Sequence, residues 1–367
     1  MGAFLIQSFR FKAAVRPTLQ ILREVSVHQD QIFQKRDGPM AVFLPAYGRH
    51  GASLLRIYNI ASELRSLGWR TVIFPPGLTL TQRQRLLKRI NPGIIVMQGA
   101  RHPLNRPAYY TGWPVVFDMD DADFHLPHLA DPVRRAMPQV AAVIAGSRYV
   151  ADWCETAGAK TASVVWTGMP ASKGIRPQAK DRRPVIAWGQ TRPMTYKREA
   201  VFVADVMRRL AKRHPGVTLR LYDRRPEDDP SFADTFQAPG LQVEWCKTSN
   251  ISDYLASFDD VAIGLAPLAT EAPFSRGKSF GKVLAYLDRA VPVVGSDACE
   301  HGRFFTPKTG VLSNDATHWV DALDRLLRDA AARQSMANAA FKAFQDRLSV
   351  AAAASGTDKV LQAHYAH

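Results

Sequence analysis

Short runs of apolar residues alternate along this chain with longer stretches in which apolar positions recur every three to four residues. Residues 40–45 (MAVFLP), 70–74, 94–97, 115–117, 140–145 and 164–166 are runs of the first kind, with the length and composition of buried strands. Between the first two, Leu54, Ile57, Ile60, Ala61 and Leu64 line one side of a helix that Gly68 stops. Residues 81–90 read as a basic helix ended by Asn91-Pro92. Ser147 stands where it caps a helix over 148–156, with Gly158 as its stop. Residues 171–183 (ASKGIRPQAKDRR) interrupt the pattern with Gly, Pro and charge, as a linker does. The alternation then restarts. Strands are expected at 185–188, 218–222, 241–245, 261–265 and 291–294, and helices at 199–213, 251–257, 278–288 and 317–328. An Ala-rich helical tail follows from residue 336.

Strands alternating with helices imply parallel sheets joined by crossover units. Two such series predict an α/β protein of two doubly wound, Rossmann-like domains facing each other across a cleft. The first spans 39–170 and the second 184–340, with 171–183 as the linker. The helix over 341–367 is long enough to return to the first domain. In open α/β sheets, ligands bind beyond the carboxyl ends of the strands, here in the cleft. Residues 1–38 stand apart. Phe9, Phe11, Val15, Leu19, Leu22 and Val25 fit an amphipathic helix, serving either as a surface anchor or as a helix packed on the body.

Composition narrows the class. The 367 residues are 46% hydrophobic and 22% charged, which is ordinary for globular cores. No run approaches the ~18–20 apolar residues of a membrane span, and the N-terminus lacks the pattern of a secretory signal. Cys154, Cys246 and Cys299 lie far apart and read as free thiols of a reducing, cytoplasmic compartment. The net charge of +15 implies anionic partners. Arg83, Arg85, Lys88, Arg89, Arg101 and Arg106 form one basic stretch without an acid. It suits the inner face of an anionic membrane, where each cation contributes about 1 kcal/mol. No nucleic-acid-binding module is present, so nucleic acid is not an expected partner.

Three stretches carry candidate chemistry. In SRGKSFGKVLAYLDRAVPVVGSD, Lys278 and Ser279 open the expected helix and Lys282 lies one turn on, giving positive charge on one face. In FDMDDADFHLPH, four aspartates and two histidines follow a strand. Asp-x-Asp binds divalent metal in two other folds, but the second half of the chain fits neither of them. Gly189 ends a strand and lets a ligand approach the backbone.

The order and spacing of several pieces resemble GT-B fold glycosyltransferases of family 4, which are retaining and use nucleotide sugars, or a divergent relative of them. The pieces are GASLLRIYNIASELRSLGWRTVIF, VIAGSRYVADWCETAGA with VVWTGMP, VIAWGQTRPMTYKREAVFVADVMRRL, and the lysine stretch with VPVVGSD. The resemblance covers about residues 40–345. It implies transfer of a sugar from a nucleotide diphosphate to an envelope glycan or lipid-linked acceptor, without a metal and with no cofactor beyond the nucleotide sugar. It places Gly48 and Gly51 against the donor diphosphate, and Arg192 and Lys197 on its phosphates, with Lys278, Ser279 and Lys282 adding charge. Fixed cations there stabilise the leaving diphosphate in the transition state. Gly189, Cys246 and Lys247 fall in the nucleoside region. Asp120, Asp121 and His125 fall near the transferred sugar, to bind hydroxyls or assist proton loss from the acceptor. The family's Glu-x7-Glu motif falls on Gly277 and Ala285, so both glutamates are missing and the ribose falls to another group such as Glu271. That departure supports a second reading, a GT-B protein of weak or no activity that serves as a binding or scaffold subunit.

Overall fold

A computed structural model of the chain describes residues 37–173, 175–190, 192–222, 234–247 and 250–366. The helix expected near the N-terminus lies outside the described residues. The chain divides into two compact units: residues up to Thr167 together with those from Val350 onward, and residues Gly168–Ser349.

The first unit contains strands β1 (Met40–Leu44), β2 (Arg70–Ile73), β3 (Ile94–Gln98), β4 (Val115–Met119), β5 (Ala142–Ala145) and β6 (Ala162–Val164). They form one parallel sheet in the order β2-β1-β3-β4-β5-β6. Its helices are α1 (residues 51–67), α2 (Leu80–Ile90), α3 (Pro127–Ala136) and α4 (Arg148–Thr156). Strands β1, β3, β4 and β5 are buried at every position, which explains why they are apolar throughout except at Gln98 and Asp118. Thr79 and Gln82 form a capping box on α2, and Ser147 caps α4. Helix α1 is continuous but opens into a π-helical turn at Leu54–Tyr58.

The second unit contains β7 (Val185–Trp188), α5 (Lys197–Arg213), β8 (Val217–Tyr222), β9 (Leu241–Cys246), α6 (Ile251–Ala256) and β10 (Val261–Ala266). It continues with α7 (Leu284–Asp288), β11 (Val293–Gly295), α8 (His301–Phe304), β12 (Val311–Leu312), α9 (Ala316–Arg328) and α10 (Ala330–Arg347). Its parallel sheet runs β12-β11-β10-β7-β8-β9. Each sheet therefore has a topological switch point, between β1 and β3 in the first and between β7 and β10 in the second. The chain leaves these neighbours in opposite directions, which opens a crevice at their carboxyl ends. Residues 171–183 are tied to the second unit. Ser172 N donates to Asp288 Oδ1 at 2.7 Å, and buried Arg182 donates to four backbone carbonyls.

Several expectations need correction. The helix expected over 278–288 begins only at Leu284. Lys278 is extended (φ −69°, ψ 140°) after a 3-10 turn at Pro273–Gly277, so Lys278 and Lys282 are not one helical turn apart. Gly277, Ser279 and Gly281 have too little helix propensity to continue the turn. Helix α3 was missed because Pro132 lies inside it. The last strand of the first unit lies two residues before its expected place. The tail is two helices: α10 ends at Arg347 and α11 spans Val350–His364. Helix α11 belongs to the first unit. There Trp69 Nε1 donates to Asp358 Oδ1 at 2.6 Å, and Met40 N donates to Tyr365 Oη at 3.0 Å.

Candidate functional site

In the first unit, a pocket opens at the switch point, with Tyr47, Gln98, Arg101, Asp120 and Asp121 among its lining residues. The loop after β1 is held by Gln98, whose Oε1 accepts from Ala46 N at 2.9 Å and from Ser53 Oγ at 2.6 Å. Ser53 Oγ in turn accepts from Tyr47 N at 3.0 Å. Gly51 enters α1 at φ 53°, a conformation that favours glycine. Gly48 and Gly51 belong to this loop but do not line the pocket.

The aspartates of residues 117–123 divide into two kinds. Asp118 and Asp123 are buried and paired, while Asp120 and Asp121 are part-exposed. Arg56, buried in the π turn of α1, lies 2.7 Å from Asp118 Oδ2 through Nη2, and its Nη1 donates to Val165 O at 2.7 Å. Burial opposes its charge, but Asp118 and Asp120 outweigh that and hold its pKa above the usual range. Thr167 Oγ1 accepts from Arg56 at 3.2 Å and donates to Asp120 Oδ1 at 2.7 Å. Gly146 completes the seat, since a Cβ there would lie 2.4 Å from Asp120 Oδ1. Arg101 clamps the next pair, donating to Asp123 Oδ2 at 2.8 Å and to Asp121 Oδ2 at 2.8 Å. Two arginines from other elements thus offset part of the charge of the four aspartates. His125 stands apart from this pocket. It is exposed, hydrogen-bonded to Tyr149 Oη at 2.8 Å and stacked on that ring.

Sequence reasoning missed Arg56 and Arg101. The basic stretch 83–106 hid the second of them, because half of its cations serve the fold. Arg83 is fully buried against Asn105 and Tyr110, and Arg106 donates to three backbone carbonyls. Arg85, Lys88 and Arg89 on α2 remain exposed.

In the second unit, the loops that leave adjacent strands β7 and β10 carry the expected cations. Arg192 and Lys197 follow β7; Lys278, Ser279 and Lys282 follow β10. Because the strands are parallel neighbours, both loops leave the same edge of the sheet. Arg192 and Lys197 are exposed, and neither side chain has a hydrogen bond or ion pair among the described residues. Lys197 is the first residue of α5, where the helix dipole disfavours a cation. Lys278 is half-buried, with Nζ 4.4 Å from the centre of the Phe274 ring, and Lys282 is exposed.

Gly189 sits at the end of β7, with both of its backbone groups held. Its N–H donates to Tyr286 Oη at 2.6 Å, and its carbonyl accepts from Tyr254 Oη at 3.0 Å. A Cβ would lie 2.9 Å from Tyr254 Oη. The glycine is therefore required by two tyrosines, which fill the space expected for a ligand. Cys246 ends edge strand β9, two strands from β7, and Lys247 follows it. Burial pushes the Cys246 thiol up. Ala285 is the second residue of α7, all five residues of which are buried. Glu271 is exposed and pairs with Arg198 of α5 at 3.7 Å.

No protein-family model matches the chain, and no curated protein does. Solved structures do match. Sucrose-phosphate synthase from Thermosynechococcus elongatus aligns over 89% of this chain and 99% of its own, with TM-score 0.67 and 11% identity. Anabaena HepE in complex with UDP and glucose aligns over 89% and 100%, with TM-score 0.62 and 14% identity. A glycosyltransferase from Rickettsia africae aligns over 89% and 99%, with TM-score 0.65 and 11% identity. At these identities the likeness shows the fold: two parallel six-stranded sheets with helices, the GT-B architecture.

Proposed function

We propose that the protein is a glycosyltransferase that moves a sugar from a nucleotide diphosphate to an envelope glycan or lipid-linked acceptor, in the manner of family 4. The observation that carries this reading is the pair Arg192 and Lys197, whose exposed side chains have no partner among the described residues, on the loop after β7 and the first residue of α5 at the switch point of the second unit. A lysine at a helix N-terminus costs about 0.3–1 kcal/mol unless an anion offsets it. A diphosphate is such an anion, and the fold is shared with HepE, whose solved complexes contain UDP and UDP-glucose.

In the mechanism, the second unit holds the donor. Lys197 and Arg192 meet the phosphates, and Lys278, Ser279 and Lys282 approach from the neighbouring loop. Negative charge grows on the leaving diphosphate as the glycosidic bond breaks, so these fixed cations act most strongly in the transition state. In the first unit, Asp120 and Asp121 accept hydrogen bonds from sugar hydroxyls. Thr167 and Arg101 orient them.

Thermal shift against a panel of nucleotide sugars tests this reading. Ligand at 100 times its Kd stabilises by about 2.7 kcal/mol, so the true donor should raise the midpoint where its free sugar does not. No response to any nucleotide would overturn the reading. Ala285, buried where the family has a ribose-binding glutamate, favours the second reading of a binding subunit. Donor binding with neither hydrolysis nor transfer would establish that one instead.

Attachment to anionic membrane surfaces is part of the proposal and rests on Arg85, Lys88 and Arg89 of α2. Replacing all three by Glu should abolish binding to anionic vesicles. Salt should weaken the wild type, since surface charges are screened over about 10 Å at 0.1 M. Equal binding to neutral vesicles would exclude it.

A further inference from the structure

A second pocket, with a cavity volume of about 270 Å³, lies between the start of α5 and the loops that follow β10, β11 and β12. Ligand pockets commonly have about 300–1,000 Å³, so it lies just below that range, with room for one sugar ring rather than a whole nucleotide. Phe202, Pro267 and Leu268 give it an apolar wall, and Glu199, Ser296 and Asn314 give it polar groups. Glu199 is 6% exposed. Its Oε1 accepts from Ala269 N at 3.1 Å, which locks the loop after β10 against α5 and sets the carboxylate in place. A carboxylate accepts about four hydrogen bonds, and the Ala269 bond is the one that Glu199 makes among the described residues.

The two other polar groups are also half used. Ser296 Oγ accepts from Leu268 N at 2.9 Å, which leaves its O–H to donate. Asn314 Nδ2 donates to Asp297 O at 3.0 Å, which leaves its Oδ1 to accept. At the rim, Glu271 is offset by Arg198. The interior therefore presents one fixed carboxylate with spare acceptor capacity, one donor, one further acceptor and an apolar face. Two adjacent ring hydroxyls match this set. They donate to one carboxylate as a pair, while the C–H face of the ring packs on the wall. A metal ion matches it poorly, because no group of three His, Cys, Asp or Glu forms among the described residues.

We propose that this pocket takes two adjacent hydroxyls of a sugar ring, foremost those of the ribose of the donor nucleotide, with Glu199 as their acceptor. Glu199 would then do from α5 what the missing glutamate at position 285 does from α7 in the family. The ribose assignment rests on the donor reading above; the diol chemistry does not. It gives the chain a route to donor recognition despite Gly277 and Ala285.

Calorimetric binding of UDP, 2′,3′-dideoxyuridine diphosphate and free glucose to the full chain tests the inference, comparing wild type with Glu199→Gln and Asn314→Ala. Gln keeps the Oε1 acceptor for Ala269 N, so the thermal midpoint should not move. A hydrogen bond to a charged group contributes about 1.5–3 kcal/mol, so Glu199→Gln should weaken UDP by about 10-fold or more. It should leave the dideoxy analogue, which has no diol, unchanged. Asn314→Ala should weaken UDP by less. If Glu199→Gln weakens glucose rather than UDP, the pocket is a diol site for a free sugar and the ribose assignment falls. UDP binding that survives Glu199→Gln but is lost in Lys197→Ala would overturn this site and leave the donor reading intact. Failure of the wild type to bind UDP or glucose would overturn this site, while the donor reading falls only if no nucleotide of the wider panel binds.

Discussion

Lys197 is the residue on which the proposed chemistry depends most. If it stabilises the leaving diphosphate, Lys197→Ala should lower kcat by about 10²–10³-fold with a smaller change in donor KM. Lys197→Arg should recover part of the loss, since it keeps the charge but changes the donor geometry. A raised KM with an unchanged kcat in steady-state transfer would assign Lys197 to ground-state binding only. Two histidines make a separate prediction about stability. Burial lowers His301 to about 4, with its Nδ1 bonded to Ser296 O at 3.1 Å. Burial, helped by Arg83, lowers His102 to about 4 as well. Their unfolded-state value is about 6.5. Between those values the unfolded chain binds protons that the folded chain refuses, so stability should fall as pH drops from about 6.5 toward 4. His301→Asn keeps a donor for Ser296 and removes one titrating group. Its urea midpoint should therefore vary less steeply with pH than that of the wild type.

Helix α1 carries a charge into the core of the first unit, and its π turn sets where that charge arrives. Arg56 spans from this turn to Asp118 on β4 and to the backbone of Val165. Removing one partner of a buried pair costs about 3–5 kcal/mol, because the other is left uncompensated. Arg56→Met should therefore lower the stability of the first unit by that amount in urea unfolding. The double substitution Arg56→Met with Asp118→Leu should recover most of it. The same pair bears on the site, because Arg56 reaches Asp120 through Thr167. A double variant that is stable but impaired in transfer would separate the positioning of Asp120 from folding.

The whole molecule is closed by its tail, since the first unit is completed by the last residues of the chain. Ala353, Ala354, Val360 and Leu361 of α11 join the same core cluster as Ile57, Ile60 and Trp69. Burial of a Val or Leu side chain is worth about 1.5–3 kcal/mol, against a total stability of about 5–15 kcal/mol for a typical domain. A chain ending at Ser349 should thus lose amide protection across β1, β2 and α1 in hydrogen exchange. The second unit, which needs nothing from α11 for its own sheet, should keep its protection. Uniform loss of protection in both units would contradict this.

The alternation of strands and helices, the two-unit α/β plan and most element positions are legible from local pattern alone. Helix α4 was legible to the residue, because its cap Ser147 and its stop Gly158 act within a few residues of the backbone they satisfy. That cations follow β7 and β10 was legible for the same reason, since apolar runs announce the strands, but Lys278 and Lys282 were expected on a helix and lie before it. Only the tertiary structure decided which charges are free and which are spent. Arg56 and Asp118 stand 62 residues apart, and Arg101 and Asp123 stand 22 apart. No local pattern links such pairs, so a stretch that reads as a basic surface turned half of its cations inward. Strand order was decided at the same level. Hydrophobic periodicity states that a strand is buried but not beside which partner, and the partner decides where the switch points fall. Glu199 shows the consequence most directly. In sequence it is one acid in the first turn of a helix; in the fold, the amide of Ala269, 70 residues on, makes it the wall of a pocket.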